Sequence, residues 1–117
     1  MRSFLILFIL LSFFSKKLVA QNGSVLDQYR WKNRVLLLFA DTEESAIYKG
    51  QLQEFENEKL GMNDRDLLVI KVLPQKATTP EGKVLGEEVA LELRKKYQIH
   101  NTGYTVVLIG KDGGQKL

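Results

Sequence analysis

Two apolar runs of strand length, at residues 34–40 (Arg-Val-Leu-Leu-Leu-Phe-Ala) and Leu67–Leu73 (Leu-Leu-Val-Ile-Lys-Val-Leu), limit what this chain can fold into more than any other feature. Neither alternates apolar with polar residues, as a strand with one wet face does. Each therefore reads as a strand covered on both sides, the pattern of a central parallel pair. Parallel neighbours need a crossover, and the segment between the runs has the pattern of a helix. Tyr48, Leu52 and Phe55 fall at i, i+4 and i+7 and form one apolar stripe. Asp41 with Glu44 has the capping-box spacing, and Glu43 and Glu44 place negative charge where a helix N-terminus favours it. The helix is expected to run to about Leu60, with Gly61 as its stop.

Beyond Pro74 the composition predicts a loop over 75–82, which contains Thr78, Thr79, Pro80 and Gly82. Leu85, Val89, Leu93 and Tyr97 recur every fourth residue and predict a second amphipathic helix over 81–97. Arg94, Lys95 and Lys96 occupy its last turn, where cations suit the helix dipole. A third strand follows at 104–109, then a tight Gly-Lys-Asp-Gly-Gly turn at 110–114, and residues 115–117 open a fourth strand paired back on the third. The expected class is α/β, in the order βαβ, α, then a ββ hairpin.

The N-terminus has the layout of an export signal. Arg2 precedes an apolar stretch from Phe4 to Phe14, and small Ala20 offers a cleavage site before Gln21. The stretch is shorter than the roughly 20 residues a bilayer-spanning helix needs. Lys16, Lys17 and Leu18 leave an uncleaved anchor as the competing reading. Removing residues 1–20 takes away three basic groups, Arg2, Lys16 and Lys17, and no acidic one, so 14 basic and 14 acidic groups remain from a whole chain of net charge +3. A neutral mature domain has no surplus charge for nucleic acid or for an anionic membrane. Cysteine is absent and histidine occurs once, which excludes disulfides, thiol catalysis, thiolate metal sites and multi-histidine zinc sites. No cofactor, metal or catalytic residue is expected from composition.

The order of elements, with the first helix starting straight after a Leu-Leu-Phe-Ala strand, resembles the thioredoxin-like fold, a three-layer sandwich, from Arg34 to Leu117. Tyr97-Gln98-Ile99 leading into Tyr104 and the Asp112-Gly113 turn is similar to the closing part of such proteins. Two departures bear on chemistry. Where thioredoxin-like proteins carry Cys-x-x-Cys this chain has Asp41-Thr42-Glu43-Glu44-Ser45-Ala46, and where they carry a cis-proline it has Gly103-Tyr104. The fold's last helix has no counterpart before Leu117, so the domain at 21–117 is expected to be C-terminally incomplete. A nearer resemblance is to a cysteine-free thioredoxin-like family of unassigned function. It is found in small secreted bacterial proteins and in vertebrate extracellular matrix proteins of the sushi-repeat and coiled-coil-domain-containing kinds. Three motifs carry it: Leu26, Tyr29, Trp31 and Arg34; Arg65-Asp66; and the turn at 110–114. The resemblance implies an extracytoplasmic domain without an established reaction.

Residue by residue, structural roles are expected first. The glycine-rich turn could cradle an anion through successive N–H groups, but the expected role is a hairpin. Tyr29 and Trp31 are expected to pack over the sheet edge, Asp64-Arg65-Asp66 to be solvated or locally paired, and His100 to sit on the surface. One constellation remains. In a thioredoxin-like fold the loop before the third strand faces the start of the first helix, which would bring His100, Asn101 and Tyr104 near Asp41, Thr42, Glu43, Glu44 and Ser45 as a candidate binding loop. The function expected is an exported, redox-inactive module of protein-binding or structural kind, its partner another extracytoplasmic protein, free of the membrane once its signal is removed, with a nonfunctional fragment as a further reading. The alternative is a non-thiol enzyme using those two loops.

Overall fold

The computed structural model describes residues 24–100 and 103–117. The leader at 1–20 and Asn101 lie outside the described residues.

The two apolar runs are the centre of a five-stranded mixed sheet. β1 (Arg34–Phe39) and β2 (Leu67–Leu73) pair in parallel from Arg34 opposite Leu67 to Phe39 opposite Val72. Between them lie helices α1 (Ala46–Asn57) and α2 (Lys59–Asp64). After β2 come β3 (Lys76–Thr78), β4 (Val84–Leu85), helix α3 (Glu87–Lys96) and β5 (Thr105–Ile109). The sheet order is β4-β3-β2-β1-β5, with every pairing except β1–β2 antiparallel.

Successive residues of β1 point to opposite faces, and both faces are covered. Val35, Leu37 and Phe39 join Ile70, Val72, Val107 and Ile109 in one apolar cluster closed by Ala90 and Leu93 of α3. A 3-10 turn at Val25–Tyr29 adds Leu26 and Tyr29 to the same side. Leu38 and Ala40 point the other way, with Leu73 and Tyr48, and Leu52 and Phe55 of α1 pack there. The sheet with helices on both faces is compatible with a thioredoxin-like sandwich, as the α/β reading required.

Several boundaries differ from those expected. The first helix starts at Ala46, because the Ser45 hydroxyl caps it by accepting from Tyr48 N at 3.3 Å. Asp41 is not its cap. The helix also breaks at Glu58, and Gly61 lies inside α2. The left-handed residue that ends this helical region is Asp66, with φ of 54°, held by its N–H donating to Asn63 O at 3.0 Å.

Residues 75–82 are not a loop throughout. Pro74 and Gln75 turn the chain so that β3 pairs back on β2, placing Ala77 opposite Val72 at the heart of the core. The second turn sits at Gly82, whose φ of 92° favours a residue without Cβ. There Gly82 N donates to Thr79 O at 2.9 Å and Lys83 N donates to Thr79 Oγ1 at 3.0 Å. The second helix accordingly begins six residues later than expected, at Glu87, and Leu85 belongs to β4. The turn after β5 forms as expected, but residues 115–117 return only through a single Ile109–Gln115 bridge and Lys116 N donating to Leu108 O at 2.7 Å, and not as a strand.

Candidate functional site

At the carboxyl ends of β1 and β2 lie most of the residues singled out above. Asp41 Oδ2 accepts from Gly103 N at 2.6 Å, so the segment after β1 does meet the segment before β5. Thr42 Oγ1 accepts from Glu44 N at 3.1 Å, and Ser45 is spent on the cap of α1. Glu43 is paired with Lys76 at 3.1 Å and Glu44 with Lys49 at 3.2 Å, both on the surface. Tyr104 lies edge-on to Tyr48, ring centroids 6.5 Å apart, and its hydroxyl is buried without a hydrogen-bond partner. Burial first, and then the neighbouring Tyr48 and Glu54, push the Tyr104 phenol up to about 12. A phenol in that range holds its proton far above neutral pH and is poorly matched to acid–base work there. His100 is exposed and lines a hollow with Tyr97, Gln115 and Leu117, whereas Asp41, Thr42, Glu43 and Glu44 line another with Pro74 and Lys76. The geometry thus joins Asp41 to Gly103, next to Tyr104, and places His100 in a different depression. Among the described residues, no three acidic or histidine side chains are grouped to hold a metal ion.

The same end of the sheet holds a group that the sequence pattern marked only as a cation in the last turn of a helix. Arg94 is 8% exposed. Its Nη2 donates to Ala40 O at 2.8 Å and its Cζ lies 5.9 Å from the Phe39 ring centroid, while Nε is buried without an acceptor.

The opposite end, where β1 and β2 begin and β5 ends, gathers the three separated motifs of the sequence. Arg34 N donates to Asp66 O at 2.8 Å and Arg34 Nη1 to Arg65 O at 2.7 Å. Asn33 Nδ2 adds a bond to Asp66 O at 3.3 Å. Lys111 Nζ reaches Asp66 Oδ2 at 2.9 Å, and that ion pair holds the Asp66 carboxyl below its ordinary range. Trp31 N donates to Lys111 O at 2.6 Å, and Arg30 Nε donates to Asp112 O at 3.1 Å. Gly113, with φ of 87°, lets the Arg30 side chain lie against the turn, since a Cβ there would stand 3.0 Å from Arg30 Nε.

This corner presents a large aromatic side chain to solvent. Trp31 is 70% exposed, contrary to the expectation that it packs over the sheet edge, while its partner Tyr29 is buried and donates to Glu81 Oε1 at 3.2 Å. Trp31 has φ of 69°, a left-handed conformation that is strained for a bulky residue, and the guanidinium of Arg30 lies 5.5 Å from its ring centroid. Among the described residues neither Arg30 nor Lys32 is in an ion pair. Adjacency to Tyr29 hid this difference in the sequence. The backbone reversal at Arg30 and Trp31 turns one ring inward and the other out.

The arrangement defines a cysteine-free α/β domain with an exposed aromatic at the end of its sheet. The chain belongs to the family described as Domain of unknown function (DUF4174), which matches residues 25–117. It is similar to the sushi repeat-containing protein SRPX2 of Xenopus laevis, 24% identical over 94 residues, covering 78% of this chain and 20% of that protein. It is also similar to sushi repeat-containing protein SRPX of Rattus norvegicus and of Homo sapiens, each 27% identical over 97 residues, covering 80% of this chain and 21% of theirs. The chain therefore spans about a fifth of the length of these curated relatives. No helix among the described residues is long and apolar enough to cross a membrane.

Proposed function

We propose that this domain is an exported, redox-inert binding module that docks an acidic surface of another extracytoplasmic protein through the corner around Trp31. The observation that carries the reading is the pairing of strain with exposure. A left-handed conformation costs a bulky residue about 1–2 kcal/mol, and here it is kept, with the Trp31 N–H bonded to Lys111 O, although the ring buries little. Strain held where it brings no burial is characteristic of binding sites. Aromatic residues and arginine are also the side chains that most often anchor protein interfaces. Arg30 and Lys32 beside the ring favour a partner of negative charge.

The export signal at residues 1–20 and the resemblance to secreted proteins support the location. The absence of cysteine supports redox inertness, because disulfide exchange passes through a thiolate and a mixed disulfide. The alternative, a non-thiol enzyme on the Asp41 and Tyr104 loops, has less support. The Glu43 and Glu44 carboxylates are engaged with lysines, and Tyr104 keeps its proton to about 12.

The test is photo-cross-linking in an exporting host, with a benzophenone side chain replacing either Trp31 or Leu60, the latter a still more exposed site on α2. A discrete protein adduct is expected from position 31 alone, lost on Arg30→Glu with Lys32→Glu. Trp31→Gly should leave the melting temperature unchanged or higher. Equal labelling from both positions, or a marked loss of stability in Trp31→Gly, would show that Trp31 serves the fold and not a partner.

A further inference from the structure

We infer that the buried guanidinium of Arg94 forms the floor of a binding site for a monocarboxylate carrying an apolar group, at the carboxyl ends of β1 and β2. In open α/β sheets the crevice beyond the carboxyl ends of neighbouring parallel strands, where the chain leaves one strand toward one face and the next toward the other, is the place where ligands bind. Here the chain leaves β1 for α1 on one face, and leaves β2 by way of β3 and β4 for α3 on the other. A hollow of about 360 Å³ opens at that point, lined by Asp41, Pro74, Leu91 and Arg94.

Arginine stays charged at any pH a protein survives, so it cannot escape burial by losing a proton. A buried charge normally has a counter-charge, because the cost of taking it out of water is otherwise not offset. Arg94 is more than nine-tenths buried, yet among the described residues no carboxylate forms an ion pair with it. The carbonyl of Ala40 and the face of Phe39 compensate only in part, and Nε has no acceptor among the described residues. Asp41, the acid that lines the same hollow, is turned to Gly103 N.

The surroundings select the ligand. One guanidinium answers one negative charge, and its planar fork matches a carboxylate. Asp41 at the rim, with Glu43 and Glu44 beyond it, disfavours dianions such as sulfate or hydrogen phosphate. Pro74 and Leu91 give the hollow apolar walls suited to a hydrocarbon tail. Two sources share this chemistry, a free branched-chain or aryl acid and the C-terminal carboxylate of a peptide ending in an apolar residue.

The experiment is amide NMR titration of the isotopically labelled chain, as purified from an exporting host, with 3-methylbutanoate, N-acetyl-leucine and sulfate in turn at constant ionic strength. Saturable shifts centred on Ala40, Leu91 and Arg94 are expected with the two carboxylates and not with sulfate, and the tighter of the two identifies the source. Arg94→Met should abolish them. If that variant does not fold, Arg94→Lys keeps the charge without the fork and should weaken binding roughly tenfold. Absence of saturation by either carboxylate, equal response to sulfate, or binding unchanged in either variant would overturn the inference.

Discussion

At the residue scale the phenols carry the clearest pH signature. All four tyrosines of the chain are raised above the ordinary value of 10.0: Tyr29 and Tyr104 to about 12, Tyr48 and Tyr97 in the same direction, with burial the leading cause in each. For Tyr29 the hydrogen-bonded Glu81 adds to it. The neutral phenol is thus favoured by the fold. Below the unfolded value both states keep the proton and the stabilisation is whole. Between about 10 and 12 the unfolded chain releases protons that the folded chain retains, so stability falls with rising pH until it is lost through the folded value. A melting temperature that declines steadily from pH 10 to pH 12 is therefore expected, together with late phenolate absorbance in the native protein and normal absorbance in denaturant. Native tyrosines titrating together at their ordinary value of 10.0 would contradict it. Little of this was legible in the sequence, because Glu81 stands 52 residues from Tyr29. Arg94 was hidden in the same way. Its place in the helix pattern marked it only as a cation suited to the last turn, and the approach of Ala40 and Phe39 from β1 is what shows that it is buried.

At the scale of elements, the start of α1 separates a local signal from the tertiary one that overrides it. Asp41 and Glu44 have the spacing of a capping box, yet Asp41 is drawn to Gly103 and the helix begins four residues on, under Ser45. Ser45→Ala should therefore cost about 1 kcal/mol and reduce the helical signal. Glu44→Gln, which loses only the exposed pair with Lys49, should cost about 0.5 kcal/mol or less. Denaturant unfolding of both variants decides between the two starts, and a larger loss in Glu44→Gln would restore the earlier one. The strands at the centre of the sheet were legible because covered strands read as continuous apolar runs, and the segments 34–40 and Leu67–Leu73 have few polar interruptions. β3 and β4 were not legible. They span three and two residues, too short for a period to register, and Pro80 and Gly82 beside them read as loop. The motif turn at 110–114 was legible as a hairpin, but nothing in the linear chain showed that it would meet Trp31 and Asp66 at one corner.

For the whole molecule the two faces of the sheet are covered unequally. On one side α3 and the 3-10 turn together close over a cluster reaching from Leu26 to Ile109. On the other, α1 sets Tyr48, Leu52 and Phe55 over Leu38, Ala40, Val69 and Leu73, toward the carboxyl ends of the parallel strands. Leu36 and Leu108 lie on this second side, opposite each other in the β1–β5 pairing, and belong to neither cluster. Both are only partly buried. With half-buried Val106 beside them they extend an apolar strip beyond the reach of α1. An uncovered apolar strip on a sheet face is a surface through which copies of a domain can associate. The mature chain is therefore expected to self-associate reversibly with rising concentration in sedimentation, and Leu36→Thr with Leu108→Thr should return it to monomer while keeping strand-forming residues in both places. Trp31→Gly, at the sheet's end and off this face, should leave the association unchanged, which separates this contact from the proposed docking corner. A chain that stays monomeric at high concentration and melts cooperatively in the range of roughly 45–65 °C usual for mesophilic domains would show that the strip is too small to matter and that α1 closes the second face by itself.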